Sequence, residues 1–248
     1  MLKRYKLTIA YDGTNYCGWQ VQTAKESIQK LIQTALQTVL RCSIDLSGSG
    51  RTDAGVHAEG QTAHFDYEGE LDPKKLRLSL NGLLPIDIRI VDVEEVSPTF
   101  HARYSARAKI YHYYLHLDRV ASPFERLYRY HVLKRLDLDR LRLAASAFLG
   151  SHDFTSFANE PQKGAVAHDP VRELKRLGIS PIQGGVKLEF EADGFLYKMV
   201  RNITGTLIEC AANRIEVSEI PFILAAKDRR KAGAGAPAHG LFLHRVVY

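Results

Sequence analysis

The chain reads as α+β, built from two related halves in which helices mix with a mainly antiparallel sheet. Two observations predict this. Apolar residues recur two apart in some segments and three to four apart in others, so both the strand and the helix period are present. Several strand segments are also joined by short turns instead of helices, which argues against a doubly wound parallel sheet. After a break at Ser97-Pro98 a related order of elements begins again, a weak duplication that divides the chain into halves 1–104 and 105–248 lying side by side.

In order, Tyr5, Leu7, Ile9 and Tyr11 alternate with Lys6, Thr8 and Ala10 as in a half-buried strand, and Asp12-Gly13 supplies a turn. Ser27 is placed to cap a helix whose apolar face is Ile28, Leu31, Ile32, Ala35, Leu36, Val39 and Leu40. Ala63, Phe65 and Tyr67 mark a second strand. Asp72-Pro73 starts another helix, because proline at the first helical position costs no hydrogen bond. A strand follows at Ile86–Val93. The second half opens with a strand over Lys109–Leu117. A helix carrying Leu138, Leu141, Ala145, Phe148 and Leu149 comes next, with Gly150 closing it. Strands are predicted at Val171–Ser180 and Val186–Asp193, helices at Phe195–Ala212 and Val217–Ala226, and a last strand at Leu241–Tyr248. Ser156–Pro170, with Asn159, Pro161, Gly164 and Pro170, reads as a long mobile loop.

Composition narrows the class. Cys17, Cys42 and Cys210 are scattered and form no CxxC pair, so neither a disulfide framework nor a zinc site is suggested. The basic start runs directly into a strand pattern, no apolar stretch reaches membrane-spanning length, and the chain reads as cytoplasmic. A formal charge of +6 favours polyanionic partners such as nucleic acid, modestly ahead of merely solvated basic faces.

The most informative run is Gly48-Ser49-Gly50-Arg51-Thr52-Asp53-Ala54-Gly55-Val56-His57-Ala58. Glycines at 48, 50 and 55 permit positive φ and close backbone approach, so Asp53 is presented on a cleft floor or else makes an Asx turn. A phosphate loop is a weak match, since Gly55-Val56-His57 stands where a Walker loop needs Gly-Lys-Ser/Thr. His112 and His116, four apart on a strand, lie too far from each other to share a metal, and no carboxylate or cysteine cluster accompanies them.

Several motifs occur in order along the chain: Tyr11-Asp12-Gly13 and Gly18-Trp19-Gln20-Val21-Gln22, the Gly50–Ala58 run with Gly60-Gln61 and His64-Phe65, and Phe100-His101-Ala102-Arg103. Tyr111-His112-Tyr113, Asp153-Phe154-Thr155-Ser156-Phe157, Met199-Val200-Arg201-Asn202-Ile203 and Gly240-Leu241 continue the series. Together they resemble the tRNA pseudouridine synthase A family, over nearly the full length. The resemblance implies the pseudouridine synthase fold, no cofactor, and isomerisation of uridine at positions 38, 39 and 40 of the tRNA anticodon stem-loop. It implies Asp53 as the catalytic carboxylate and Arg201 as its partner. Tyr111 would stack on the flipped base, Leu241 would line the other side of the pocket, and Arg51 would contact RNA or fill the space left by the flipped nucleotide. It also implies a homodimer with tRNA laid across both subunits. Ala158 departs from a position often basic in the family, and Pro161–Asp169 lacks the usual polar and basic run.

The chemistry fits that assignment. A carboxyl with a reference pKa of about 3.9 is ionised at neutral pH and can serve as nucleophile or base. Arginine nearby lowers a carboxyl pKa by about 1–3 units, and a stacked aromatic returns about 1–3 kcal/mol of the cost of extruding a base. Arg103, Arg107, Lys109, Lys198 and Arg230 are candidates for backbone phosphate contacts only. The rival reading is a non-catalytic tRNA-binding or chaperone protein on the same scaffold, for which a carboxylate facing phosphates is a handicap. A nucleotide-dependent enzyme built on the glycine loop is the third.

Overall fold

A computed structural model describes residues 1–22, 25–159 and 169–248. In chain order the elements are β1 (Leu2–Tyr11), α1 (Ile28–Leu40), β2 (Ser47–Gly48), β3 (His57–Glu68), α2 (Pro73–Leu83), β4 (Ile88–Val96) and β5 (Ala108–His116). There follow β6 (Tyr130–His131), α3 (Leu138–Ser146), β7 (Gly150–Asp153), β8 (Val171–Ile182), β9 (Gly185–Ala192), α4 (Met199–Ala211), α5 (Ile220–Ala226) and β10 (Leu241–Val247). Helices and mainly antiparallel strands are mixed as expected for α+β. No helix among the described residues is long and apolar enough to cross a membrane.

The chain divides into two compact units, Met1–Arg107 with Phe242–Tyr248, and Ala108–Leu241. Phe242–Tyr248, expected with the C-terminal half, thus falls in the first unit. The physical reason is pairing: Phe242 and Leu243 lie in parallel register with His57 and Ala58 of β3. The Tyr248 hydroxyl also donates to the Ala102 carbonyl at 2.7 Å, and its ring packs on Phe100 at 4.8 Å.

In the first unit β1 pairs antiparallel with both β3 and β4, and β2 pairs with β3. Tyr5, Leu7 and Ile9 on one face of β1 are fully buried, as are Ile28, Ile32 and Leu36 on α1. Each such side chain contributes roughly 1.5–3 kcal/mol through removal from water. Asp72 caps α2 by accepting from the Lys74 and Lys75 amides, and Pro73 takes the first helical position. Ser27 stands at the start of α1, but its hydroxyl makes no capping bond.

In the second unit the order is β5-β9-β8-β7, all antiparallel, with β6 parallel beside the end of β5. Tyr113, Leu188 and Phe190 are fully buried, as are Leu141, Phe148, Phe154, Phe157 and Ile203. Three boundaries differ from expectation for local reasons. The helix expected from Phe195 begins at Met199 because Lys198 is left-handed (φ 61°). The helix expected to reach Leu149 stops at Ser146, and Gly150 (φ 99°) opens β7 instead of closing a helix. Val217–Glu219 is a separate 3₁₀ turn ahead of α5. Most of the loop expected at Ser156–Pro170, residues 160–168, lies outside the described residues.

Candidate active site

Asp53 lies half-buried on the segment between β2 and β3, and that segment is fastened on both sides. The Ser49 amide donates to the Thr62 carbonyl at 2.7 Å, and the Ser49 hydroxyl donates to the Gln61 side chain at 2.7 Å. The Gln61 amide group returns a bond to the Gly50 carbonyl at 3.0 Å. Thr52 is held twice, its hydroxyl 2.8 Å from the Tyr11 hydroxyl and its carbonyl accepting from the Trp19 amide at 3.1 Å. On the far side the Val56 amide donates to the Asp53 carbonyl at 3.1 Å, closing a turn in which Gly55 takes φ 75°. Burial pushes the Tyr11 phenol well above its ordinary range, so it remains a neutral hydrogen-bonding post.

Of the three glycines that permit positive φ, Gly55 alone takes it. Gly48 serves a different purpose, since a Cβ there would stand 2.5 Å from the Trp19 indole nitrogen. Two glycines outside the run also close on this loop. A Cβ on Gly13 would meet the Val56 carbonyl oxygen at 2.0 Å, and one on Gly18 (φ 104°) would meet the Thr52 carbonyl oxygen at 2.5 Å. Tyr11, Gly13, Gly18 and Trp19 are therefore the clamp of the Asp53 loop. His57, just beyond the loop, accepts from the Gly13 amide at 3.0 Å and stacks on Phe242 at 4.5 Å. Arg51 is exposed on the same loop and enters no ion pair among the described residues.

The second unit carries Tyr111, Arg201 and Leu241. Tyr111 is a buried residue of β5, set edge-on to Phe195 at 5.0 Å and opposite Phe190 in register. Arg201, on the first turn of α4, is half-buried and so is not a solvent-facing helix arginine. Its Nε donates to the Ala236 carbonyl at 2.8 Å, and its own carbonyl accepts from the Ala236 amide at 2.9 Å. Residues 233–241 form a strap across this helix. Gly205 has no room for a side chain, because a Cβ would lie 1.7 Å from the Ala234 carbonyl oxygen. The Tyr113 hydroxyl donates to the Pro237 carbonyl at 2.7 Å, and Gly240 packs flat on the Tyr113 ring. Leu241, buried, is where the strap becomes β10.

Burial drives the Tyr113 phenol upward while the Arg201 charge opposes it, and burial wins. Tyr111 and Tyr113 lie two apart on β5 and so share a face. The three expected residues of this unit are thereby gathered around one strap: Arg201 binds it, Leu241 ends it, and Tyr111 is next on the strand to the tyrosine that pins it.

Asn202, within the Met199–Ile203 motif, has a structural role. Only 1% exposed, it donates to the Phe157 carbonyl (2.8 Å) and the Asn159 side chain (3.0 Å) and accepts from Arg229 (3.0 Å). It therefore ties the start of α4 to the Asp153–Phe157 motif.

The sequence profile for tRNA pseudouridine synthase matches residues 7–105 and 144–248, which cover the Asp53 loop, its glycine clamp, α4 and the strap. The class is thus that of the pseudouridine synthases, which are isomerases. The chain belongs to the tRNA pseudouridine synthase family. It is 58% identical over 245 residues to "tRNA pseudouridine synthase A 1" of Protochlamydia amoebophila, covering 98% of this chain and 96% of the relative. It is 40% identical to "tRNA pseudouridine synthase A" of Lacticaseibacillus casei and 41% identical to that of Acetivibrio thermocellus, each over 100% of both chains.

Proposed function

We propose that this chain converts uridine to pseudouridine in the anticodon stem-loop of tRNA, at positions 38, 39 and 40, with Asp53 as the catalytic carboxylate. The observation that carries the reading is the fastening of the Asp53 loop. A carboxylate left half-exposed while Thr52 and Val56 on either side are locked is prepared for reaction at a fixed point.

The reaction is balanced within the substrate. The N1–C1′ bond breaks, the uracil turns, a C5–C1′ bond forms, the C5 proton leaves, and N1 ends up carrying a proton. No electrons are gained or lost. Asp53 supplies the anion that acts during cleavage, and the reading gives Arg201 the task of keeping it charged and oriented. Tyr111 offers a ring for the extruded base, Leu241 an apolar wall, and Arg51 a planar cation for RNA. The same reading includes a cytoplasmic homodimer that lays tRNA across both subunits.

Tritium release from C5-labelled uridine in tRNA tests it. Asp53→Asn and Asp53→Ala are expected to abolish release while retaining tRNA binding. Release that survives either substitution sinks the assignment, and a parent chain that binds tRNA without release supports the non-catalytic binder instead.

A further inference from the structure

The second unit contains a cavity of about 320 Å³ that none of the proposed catalytic residues lines. Its walls include Ser122, Arg126, Arg129, Tyr130, His131 and His239. The volume is at the lower end of the range for small-ligand sites, enough for one compact polar group. The lining is dominated by donors. Glu125, the one carboxylate on the wall, is already engaged, 3.1 Å from the Arg129 guanidinium and 3.5 Å from the buried His116 imidazole. Arg129 is further spent on the Gln183 carbonyl at 2.8 Å.

Arg126 differs from Arg129. Among the described residues it donates only to the Pro123 carbonyl, at 2.6 Å, which leaves most of its five N–H groups and its whole charge unbalanced at the cavity. His131 uses one ring nitrogen on the Asp118 carbonyl at 2.9 Å. In the chain between the wall residues Pro123 and Glu125, Phe124 is 87% exposed, and Val120 is 80% exposed. An unbalanced arginine on the wall of a hollow, with an exposed aromatic side chain two residues away in the chain, is the pairing used to hold a nucleotide: guanidinium on phosphate, ring on base.

The geometry points to this cavity as a site for one nucleotide of the RNA strand, its phosphodiester held by Arg126 and its base laid on Phe124. The inference rests on the reading of this chain as a tRNA-modifying enzyme and adds a contact away from the reacting uridine. His239 lies on the strap that Arg201 binds, so an occupied cavity bears on the same segment that ends at Leu241.

The test is tRNA binding by the full chain from about 50 to 200 mM salt, comparing the parent with Arg126→Gln, Arg126→Lys, Phe124→Ala and a control, Arg142→Gln. Arg142 is an exposed α3 arginine paired with Asp139. Arg126→Gln should weaken binding several-fold and lower the slope of log K against log salt by about 1, whereas Arg126→Lys should keep the slope. Phe124→Ala should weaken binding roughly five- to hundred-fold with the slope unchanged. KM for tRNA should rise in both Arg126→Gln and Phe124→Ala. Unchanged slope and affinity in Arg126→Gln, or an equal loss in Arg142→Gln, overturns the nucleotide site. That result leaves the isomerase reading standing, because the isomerase reading fails only if the parent chain releases no tritium or Asp53 proves dispensable.

Discussion

Replacing Gly18 with alanine tests whether the placement of Asp53 depends on the clamp. The added Cβ would lie 2.5 Å from the Thr52 carbonyl oxygen, roughly 0.9 Å short of ordinary contact at 3.4 Å. That oxygen cannot withdraw freely, because it accepts from the Trp19 amide at 3.1 Å and Thr52 is also tied to Tyr11. Gly18 itself sits at φ 104°, where a side chain adds strain of about 1–3 kcal/mol. The strain is a stability term, but the displacement reaches Asp53 directly, the next residue along. A misplacement of about 1 Å costs on the order of 100-fold in rate, so Gly18→Ala is expected to lose about two orders of magnitude in tritium release. Urea unfolding should show a folded protein weakened by the strain. Gly82→Ala is the control: no atom lies within 4 Å of a Cβ at that helical position, and alanine there should leave activity intact and add about 0.5–1 kcal/mol. A folded Gly18→Ala protein that retained activity within threefold of the parent would refute the clamp argument.

Two further outcomes are expected. His64 is held neutral, its Nδ1 accepting from the Ala102 amide and its other nitrogen bonded to the Ser47 carbonyl; burial, then the Arg4 charge, lower its pKa below 6.5. The unfolded chain therefore takes up this proton first as pH falls, so stability declines from about pH 6.5 downward until the folded pKa is passed. Urea midpoints at pH 7.5 and 5.5 should differ less in His64→Gln than in the parent, and an equal difference would remove His64 from the account. Asn202→Ala leaves the Phe157 carbonyl and the Arg229 guanidinium short of buried partners and should cost about 1–3 kcal/mol in urea unfolding. A loss below about 0.5 kcal/mol would mean that the Asn202 bonds do not tie α4 to the Asp153–Phe157 motif.

What could be read in advance was what is locally determined. The bounds of α1 coincide with its apolar face, and Asp72-Pro73 marks the start of α2, because capping and periodicity act over a few residues. The strands β2, β6 and β7, two to four residues long, leave no period to detect. The left-handed Lys198 that delays α4 has no compositional mark. At the site, the Asp53 loop stood out because its glycines and carboxylate are contiguous. Its clamp did not, since Gly13 against Val56 and Gly18 against Thr52 are meetings across dozens of residues. The bonds between Arg201 and the strap at Ala236 bridge a separation of 35 residues and were hidden for the same reason.

The first unit is assembled from residues 1–107 and 242–248, with the whole second unit made in between. A chain still emerging from the ribosome has already produced the Asp53 loop but not Phe242, the ring on which His57 rests, nor the Val247 carbonyl that accepts from the Arg107 amide. Completion of that edge therefore waits for residues 242–248, and a fragment cut after Arg107 exposes the unpaired flank of β3. Trimming residues 242–248 removes most of β10 from the unit that carries the Asp53 loop.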